Sequence, residues 1–215
     1  FDIKNEHLFT VLLGQESMNN KSQGFRARAE GLTDTRLMLM SAGAEGVLPS
    51  HTMSEEVRNS WFGMLNYSFR DKYFVDLSVR RDGSSLFGAN NRWATFGAAA
   101  AMWKISAENF MESTKSWLDD LSLKASYGST GNSGISPYLA LGLVGTGPLY
   151  DGNSGTAISN AANPDLSWEK VNTLNVGLSG TIAKILDFNI EYYHKTTSNM
   201  LMSIPYSYTT GFGGG

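Results

Sequence analysis

The stretch that decides the fold is "YFVDLSVRRDGSSLFGANNRWATFGAAAAMW", residues 73–103. Its first part carries large apolar side chains at alternate positions: Tyr73, Val75, Leu77 and Val79. Such alternation is typical of a β-strand whose two faces meet different surroundings. Asp82-Gly83 follows as a turn signal, with the glycine expected to supply a positive φ. Residues 93–105 then predict a second strand, so the stretch indicates two strands joined by a loop with an exposed Phe87.

The same pattern predicts four more strands, at 61–69, 121–128, 173–182 and 187–196, and a more uniformly apolar run predicts another at 7–16. The seven candidates are joined by connections of very unequal length. Residues 70–72 and 183–186 are short, whereas about 16–57, 83–92 and 130–168 are long. The intervening segment 106–119 is compact, and Ser106 with Glu108 predicts a capped start of one or two helical turns. Short and long connections alternate when an antiparallel barrel separates two compartments.

Strand length favours the same architecture. Most candidates approach the roughly 9–11 residues of a tilted transmembrane strand, whereas strands of soluble domains cluster near about five or six. Trp93 and Trp103 lie ten residues apart on one predicted face, so they fit two aromatic girdles about 25 Å apart. The alternative is that both tryptophans belong to the core of a soluble sheet.

Seven strands do not close a membrane barrel, which needs at least about eight, and lipid does not tolerate open sheet edges. The chain begins "FDIKNEHLFT" without methionine and ends "TTGFGGG" in a predicted loop. We therefore expect residues 1–215 to be one segment of a longer polypeptide that supplies the remaining strands.

Composition excludes several functional classes. The net charge of -3 and the isoelectric point near 5.6 argue against a nucleic-acid partner, because phosphate binding needs a concentrated basic surface. The absence of cysteine excludes a disulfide scaffold and a thiolate metal site. No apolar run approaches the roughly 18 residues that a membrane-spanning helix requires.

Four motifs in register resemble the barrel region of SusC/RagA-type TonB-dependent outer-membrane receptors. They are "RRDGSSLFGANNRW" (80–93), "LSLKASYGSTGN" (121–132), "NPDLSWEKVNTLNVGL" (163–178) and "YYHKTTSNMLMSIPYSYTTG" (192–211). Each motif alone is weak, but their order and spacing match the family over about 60–211.

The resemblance implies an all-β fold: an antiparallel transmembrane barrel of 22 strands, of which this chain supplies about seven, with long outer loops and short periplasmic turns. It implies energised import of glycan or peptide fragments across the outer membrane of a Gram-negative bacterium. The implied partners are a SusD-type surface lipoprotein, the outer-membrane lipid, and the TonB–ExbB–ExbD complex. That complex would act through an N-terminal region outside this chain, and a plug domain is likewise expected outside 1–215.

An enzyme is disfavoured, and no catalytic, cofactor-binding or metal-ligating residue is predicted. The three histidines, His7, His51 and His194, fall on separate segments without the spacing of a metal pair. Nucleophile-elbow and phosphate-loop motifs are missing. "DGNSG" at 151–155 resembles the start of a calcium loop but lacks the distal glutamate, so an ordinary turn is favoured.

Two arginines and six aromatic residues remain as candidates for contacts. Arg80 is expected on the polar strand face, paired with Asp76 or a neighbouring strand rather than with solute. Arg92 is expected to stack on Trp93 or to bond loop carbonyls. The loop aromatics could stack on sugars, contact a partner protein, or close the loops over one another; they are Phe87, Tyr138, Tyr150, Trp168, Tyr206 and Tyr208.

These observations favour gated nutrient transport without bond chemistry. The runner-up is a secreted all-β carbohydrate-binding or recognition module without catalytic activity. The two hypotheses differ in what covers the apolar strand face, which is lipid in the first and a protein core in the second.

Overall fold

The computed structural model describes residues 2–3, 6–32, 34, 36–151, 153–203, 207 and 209. The described chain is built from antiparallel strands with short 3-10 helices between some of them. The strands are β1 (Asp2–Ile3), β2 (His7–Leu32), β3 (Gly43–Phe69), β4 (Tyr73–Ser84), β5 (Trp93–Lys104), β6 (Leu118–Asn132), β7 (Leu143–Tyr150), β8 (Asn153–Asn160), β9 (Glu169–Ile182) and β10 (Leu186–Ser198). The 3-10 helices are Met40–Ala42, Ile105–Ala107 and Asn109–Thr114. No helix in the described ranges is long and apolar enough to cross a membrane.

Eight of the strands form one sheet in the order β1-β2-β3-β4-β5-β6-β9-β10. Neighbours in the sheet are also neighbours in the chain, except where the separate β7–β8 hairpin is inserted between β6 and β9. All seven predicted strands are present. Within the described residues β10 pairs with β9 alone, so the sheet is open, as the strand count predicts.

The two faces of this sheet differ in chemistry. Residues directly opposite each other in neighbouring strands point to the same side. One row across six strands is apolar, and we call its side the apolar face: Val11, Leu65, Leu77, Ala99, Tyr127 and Leu174. The adjacent row defines the polar face: Thr10, Asn66, Asp76, Ala100, Ser126 and Asn175. The alternation in the sequence therefore predicts the faces correctly.

The apolar face is not covered by the described part of the chain. Leu13 is 80% exposed and Ile190 is 67% exposed, although each would bury readily in a soluble domain. The few buried large apolar residues lie in loops and at strand ends rather than along this face. A recognition module would pack such a face into its core, so the exposure favours a surface that meets lipid.

The expected long loop at about 16–57 is wrong. β2 continues to Leu32 and β3 begins at Gly43, and the two strands stay paired almost throughout. The last pair of β3 with β4 is Arg58 with Ser84, so residues 43–57 pair with β2 alone in the described chain. We call this two-stranded extension the ribbon. Its side chains are mostly exposed on both faces, so no apolar alternation marks it as strand.

The lengths of the connections distinguish the two ends of the sheet. The turns at 70–72 and 183–185 confirm the predicted short connections, and they lie at one end, which we call the turn end. The opposite, loop end carries the ribbon and the segments 85–92 and 133–168. The predicted loop at 130–168 is partly wrong, because it contains the β7–β8 hairpin.

The compact segment after β5 forms two 3-10 helices, Ile105–Ala107 and Asn109–Thr114, so the predicted helical turns are present. The predicted capping by Ser106 and Glu108 is wrong, since neither helix has a side-chain cap. The Ser106 hydroxyl donates instead to Asp120, at 2.8 Å. Glu108 binds side chains of the sheet, as described below.

Candidate functional site

The polar face carries an open hollow of about 660 Å³ near the middle of the sheet. Polar side chains from six different strands line it, among them Asn66, Asp76, Lys124, Asn175 and Glu191. The small side chain of Ala100 on β5 separates Asp76 from Ser126 in the cross-strand row and leaves space above the sheet. The lining therefore offers both hydrogen-bond donors and acceptors to a polar molecule.

The groups of this lining are suited to hydrogen bonding with a polar molecule. The Asp76 carboxylate accepts a hydrogen bond from the Asn66 amide, so part of its capacity is already used by the wall. No cluster of three or more histidine, cysteine or acidic residues that could hold a metal occurs among the described residues. The polar face around the hollow resembles the lining of a polar passage.

Arg80 is paired, as predicted, and of the two expected kinds of partner it uses neighbouring strands rather than Asp76. Its guanidinium donates to Asp82 at 2.6 Å, to Glu16 at 2.8 Å and to the Ser60 hydroxyl at 2.9 Å. It also lies over the Phe62 ring, 5.4 Å from the centroid. These groups belong to β2, β3 and β4, so Arg80 ties three strands together near the loop end.

An aromatic cluster closes the loop end, and it corrects the expectation that Phe87 is exposed. Phe87 is 1% exposed and packs on Trp168, with ring centroids 4.6 Å apart. Phe96 of β5 contacts the same tryptophan at 5.7 Å in an edge-on arrangement. Of the three predicted roles for the loop aromatics, Phe87 and Trp168 take the third, which is to close the loops over one another.

Hydrogen bonds join the same two loops. The Gly88 amide donates to the Leu166 carbonyl at 3.0 Å, and the Trp168 indole donates to the Arg92 carbonyl at 3.2 Å. Asn90 and Asn91 both donate to Asp165, to its carboxylate and its carbonyl respectively. The loop parts of the motifs at 80–93 and 163–178 are therefore two halves of one packed unit, which we call the loop clamp (residues 85–92 and 163–168).

The turn predicted at Asp82-Gly83 is wrong. Both residues belong to β4, where Gly83 lies opposite Trp93, and the glycine is not among the residues with positive φ. A Cβ at this position would lie 2.9 Å from the Trp93 ring. Gly83 is thus explained by the close approach of the indole, and the chain turns only after Ser84.

The predicted stacking of Arg92 on Trp93 is also wrong. The guanidinium over the Trp93 ring is that of Arg81, 5.5 Å from the centroid. Arg92 contributes its backbone carbonyl, which accepts from the Ser84 amide and the Trp168 indole. Arg81 lies directly opposite Thr95 on β5, and Thr95 is two residues along that strand from Trp93. The sequence spacing alone does not show that Arg81 and Trp93 are close.

Glu108 collects three donors at the turn end. Its carboxylate accepts from the Tyr73 hydroxyl at 2.6 Å, the Trp103 indole at 3.1 Å and the Lys72 ammonium at 3.2 Å. These contacts, led by the Tyr73 hydrogen bond, hold the pKa of the Glu108 carboxyl below its usual value. Sequence reasoning missed this role, because the donors come from β4, β5 and the turn between β3 and β4.

The remaining candidates are scattered. His7 on β2 contacts the Tyr67 hydroxyl at 2.9 Å, and His194 on β10 contacts Thr196. His51 lies opposite Phe25 in the ribbon, so the histidines do not form one site. Tyr138 is 37% exposed, and its hydroxyl accepts from the Glu55 amide. Tyr206, Tyr208 and the side chain of Tyr150 lie outside the described residues.

Of "DGNSG", Asp151 is a turn residue, as predicted, and Asn153 already begins β8. Asp151 has a φ of 50° at the end of the β7–β8 hairpin, and the Asn153 amide donates to its carbonyl at 3.3 Å. This contact between neighbouring residues is typical of a turn stabilised by its own side chains.

Comparisons with known proteins agree with this geometry. Residues 3–214 match the family model of the TonB-dependent receptor-like β-barrel. A TonB-dependent receptor of Formosa agariphila is 32% identical over 98% of this chain, and the receptor SusC of Bacteroides thetaiotaomicron is 37% identical over 71% of it. The match covers 22% of the first protein and 16% of the second.

The solved structures give the same result. A chain in the structure of the RagAB peptide transporter superposes on all of this chain with a TM-score of 0.89 and 38% identity. The TM-score is 0.86 for the RagAB peptide importer in its "open-open" state. The match covers 24% of each solved chain, so this chain spans about a quarter of its structural relatives. The open sheet with its two unlike faces is accordingly a section of barrel wall, and the chain belongs to the β-barrel family of the TonB-dependent receptors.

Proposed function

We propose that this chain forms part of the wall of an outer-membrane barrel that imports nutrient fragments, in a transporter of the SusC/RagA type. The observation that carries the proposal is the contrast between the two sheet faces. The apolar face is exposed to an extent that water does not tolerate in a stable soluble domain, whereas the polar face carries the hollow. Lipid outside and a polar passage inside account for both faces at once.

The proposal extends to the parts of the receptor beyond this chain. Residues 1–215 act as a section of the barrel domain, and the rest of the polypeptide supplies the remaining strands and a plug. Import is energised by the TonB–ExbB–ExbD complex and assisted by a surface lipoprotein of the SusD type. Support comes from the similarity to SusC and to RagAB chains, which match this chain over most or all of its length.

The solute is a glycan or peptide fragment, and no bond is made or broken during its passage. The hollow supports transport because its lining mixes amides, carboxylates and one ammonium without a nucleophile held by a base. Long loops at the loop end face the exterior and short turns face the periplasm.

The test is deletion of the whole receptor in its native host. Growth should fail on one class of oligosaccharide or oligopeptide as the nutrient source and stay normal on the monomers. The receptor itself should fractionate with the outer membrane and migrate differently on gels before and after heating. Recovery of a soluble protein from the medium, with unchanged growth on every oligomer, would instead support the secreted recognition module.

A further inference from the structure

The connection between β5 and β6, residues 105–117, is fixed against the apolar face rather than free at the turn end. Glu108 of this connection accepts hydrogen bonds from Trp103 and Tyr73. Those two residues lie opposite each other on neighbouring strands, with their rings stacked 6.4 Å apart. Both belong to the apolar face, because Tyr73 and Trp103 each lie two residues along the strand from Val75 and Ala101, which are on that face. The connection is therefore tied to the last ring pair of that face.

This tie places an exposed aromatic ring beside the face. Phe110 lies edge-on to Trp103, with ring centroids 6.5 Å apart, and is 65% exposed. Trp117, at the end of the connection, is 51% exposed. Its carbonyl accepts from Ala183 of the neighbouring turn, where Ile185 is 89% exposed. Phe110 thus extends the apolar face past the ends of its strands through its contact with Trp103, and Trp117 and Ile185 are two further large apolar side chains exposed at the same end of the sheet.

The connection also carries two exposed charges. Glu112 and Lys115 form an ion pair at 3.7 Å, with side chains 77% and 61% exposed. Aromatic rings concentrate where hydrocarbon meets the polar headgroups, because they are apolar with a polar edge, while charges remain in water. The thirteen-residue connection contains both aromatic rings and charged groups. The hydrogen bonds to Glu108 already satisfy the Trp103 indole and the Tyr73 hydroxyl, so these two groups do not need lipid headgroups as partners.

We propose that the 105–117 connection is a membrane anchor, with Phe110 and Trp117 inserted at the boundary of the inner leaflet of the outer membrane. The occupant of this surface is phospholipid, since the surface is continuous with the face that meets lipid. The inference rests on the proposed function, because it needs the barrel to be in a membrane. It goes further in assigning lipid contact to a periplasmic connection rather than to strands.

Single-cysteine labelling tests the anchor, and the described section of the receptor has no native cysteine to interfere. The full-length receptor, in a cysteine-free background, carries an environment-sensitive fluorophore at Phe110→Cys or Trp117→Cys. It is reconstituted in phosphatidylethanolamine–phosphatidylglycerol vesicles that contain phospholipid with a nitroxide at a shallow or a deep acyl position. Leu77→Cys on the apolar face is the lipid control, and Glu112→Cys on the same connection is the water control.

Labels at 110 and 117 should be quenched at least about twofold more by the shallow nitroxide than the label at 112, while Leu77→Cys responds most to the deep one. Quenching by aqueous iodide instead of by nitroxide would overturn the anchor. Protection from both quenchers would also overturn it, since protein would then cover the site. Loss of nitroxide quenching at Leu77 as well would refute the proposed function itself. Two test positions keep the result decisive if one variant does not assemble.

Discussion

At the scale of single residues, the loop clamp shows that a distinctive sequence motif can serve the packing of the fold rather than binding or chemistry. Gly88 is the residue with the least room, because an added Cβ would lie 1.9 Å from the Pro164 carbonyl oxygen. Backbone cannot yield as a flexible side chain does, so any larger residue forces the two loops apart. The glycine is needed here for close approach.

We predict that Gly88→Ala destabilises the receptor by about 1–3 kcal/mol, the usual cost of overpacking a filled site. The measurement is the thermal unfolding of the full receptor in detergent, followed by the loss of its heat-modifiable gel migration. Gly46→Ala is the matched control, because a Cβ there meets no atom within 4 Å. Equal stability of the two variants would show that the loops separate at no cost.

Glu108 gives a pH-dependent prediction. Its pKa is lowered in the folded state by donors led by Tyr73, so the folded state favours the charged carboxylate more than the unfolded state does. The resulting stabilisation is fully present above the unfolded pKa, about 4.3. It is lost as the pH falls below that value and through the lower pKa of the folded state.

Thermal unfolding of the receptor between pH 7 and pH 3 measures this contribution. Glu108→Gln should lower the unfolding temperature at pH 7, and its difference from the wild type should shrink towards pH 3. Glu112→Gln on the same connection is the control, since that carboxylate is exposed and pairs with Lys115. If the unfolding temperature of Glu108→Gln stays below that of the wild type by the same amount at every pH, the shape of the side chain rather than its charge matters at this position.

At the scale of elements, the two hairpin turns of the turn end are built without glycine. Arg70 and Asp71, and likewise Ala183 and Lys184, have φ between 51° and 56°. Two successive residues with positive φ are what the type I′ turn of β-hairpins requires, and this turn matches the right-handed twist of the strands. A side chain in this region costs about 1–2 kcal/mol relative to the right-handed one, and the pairing of β9 with β10 supplies the compensation.

Lys184→Gly should therefore stabilise the β9–β10 hairpin by about 1 kcal/mol, because glycine adopts positive φ without a steric cost. The backbone amide of residue 184 keeps its hydrogen bond to Asp119. The measurement is the unfolding free energy of the receptor in denaturant. Lys184→Ala separates strain from charge: it removes the ammonium but keeps a Cβ, so it should give no gain.

Element prediction from the sequence works where one strand face meets an apolar phase. β4, β6, β9 and β10 are visible as alternation because their two faces differ. The ribbon was missed because its side chains are exposed on both faces, so nothing selects apolar residues at every second position. The loop clamp was left as one of three alternatives for another reason: Phe87 and Trp168 are distant in sequence, and their contact depends on how two loops fold together.

At the scale of the whole molecule, the proposed barrel makes the sheet a wall between two phases, so that neighbouring residues can have opposite roles. Ala99 and Ala100 are adjacent on β5, yet Ala99 lies opposite Leu77 on the apolar face and Ala100 lies opposite Asp76 on the polar face. Both alanine side chains are small, so a larger side chain at either position projects further from the sheet on its own face. This pair can test whether the hollow belongs to the passage.

Ala100→Trp should reduce solute uptake several-fold, because the indole fills part of the hollow between Asp76 and Ser126. Ala99→Trp should leave uptake unchanged, since lipid accommodates an added ring on the apolar face. The measurement is growth on the imported oligomer, with both variants checked for equal amounts of heat-modifiable receptor in the outer membrane. If both variants import normally, the solute passes elsewhere in the barrel; if both fail equally, the two faces of β5 are not separated as the register requires.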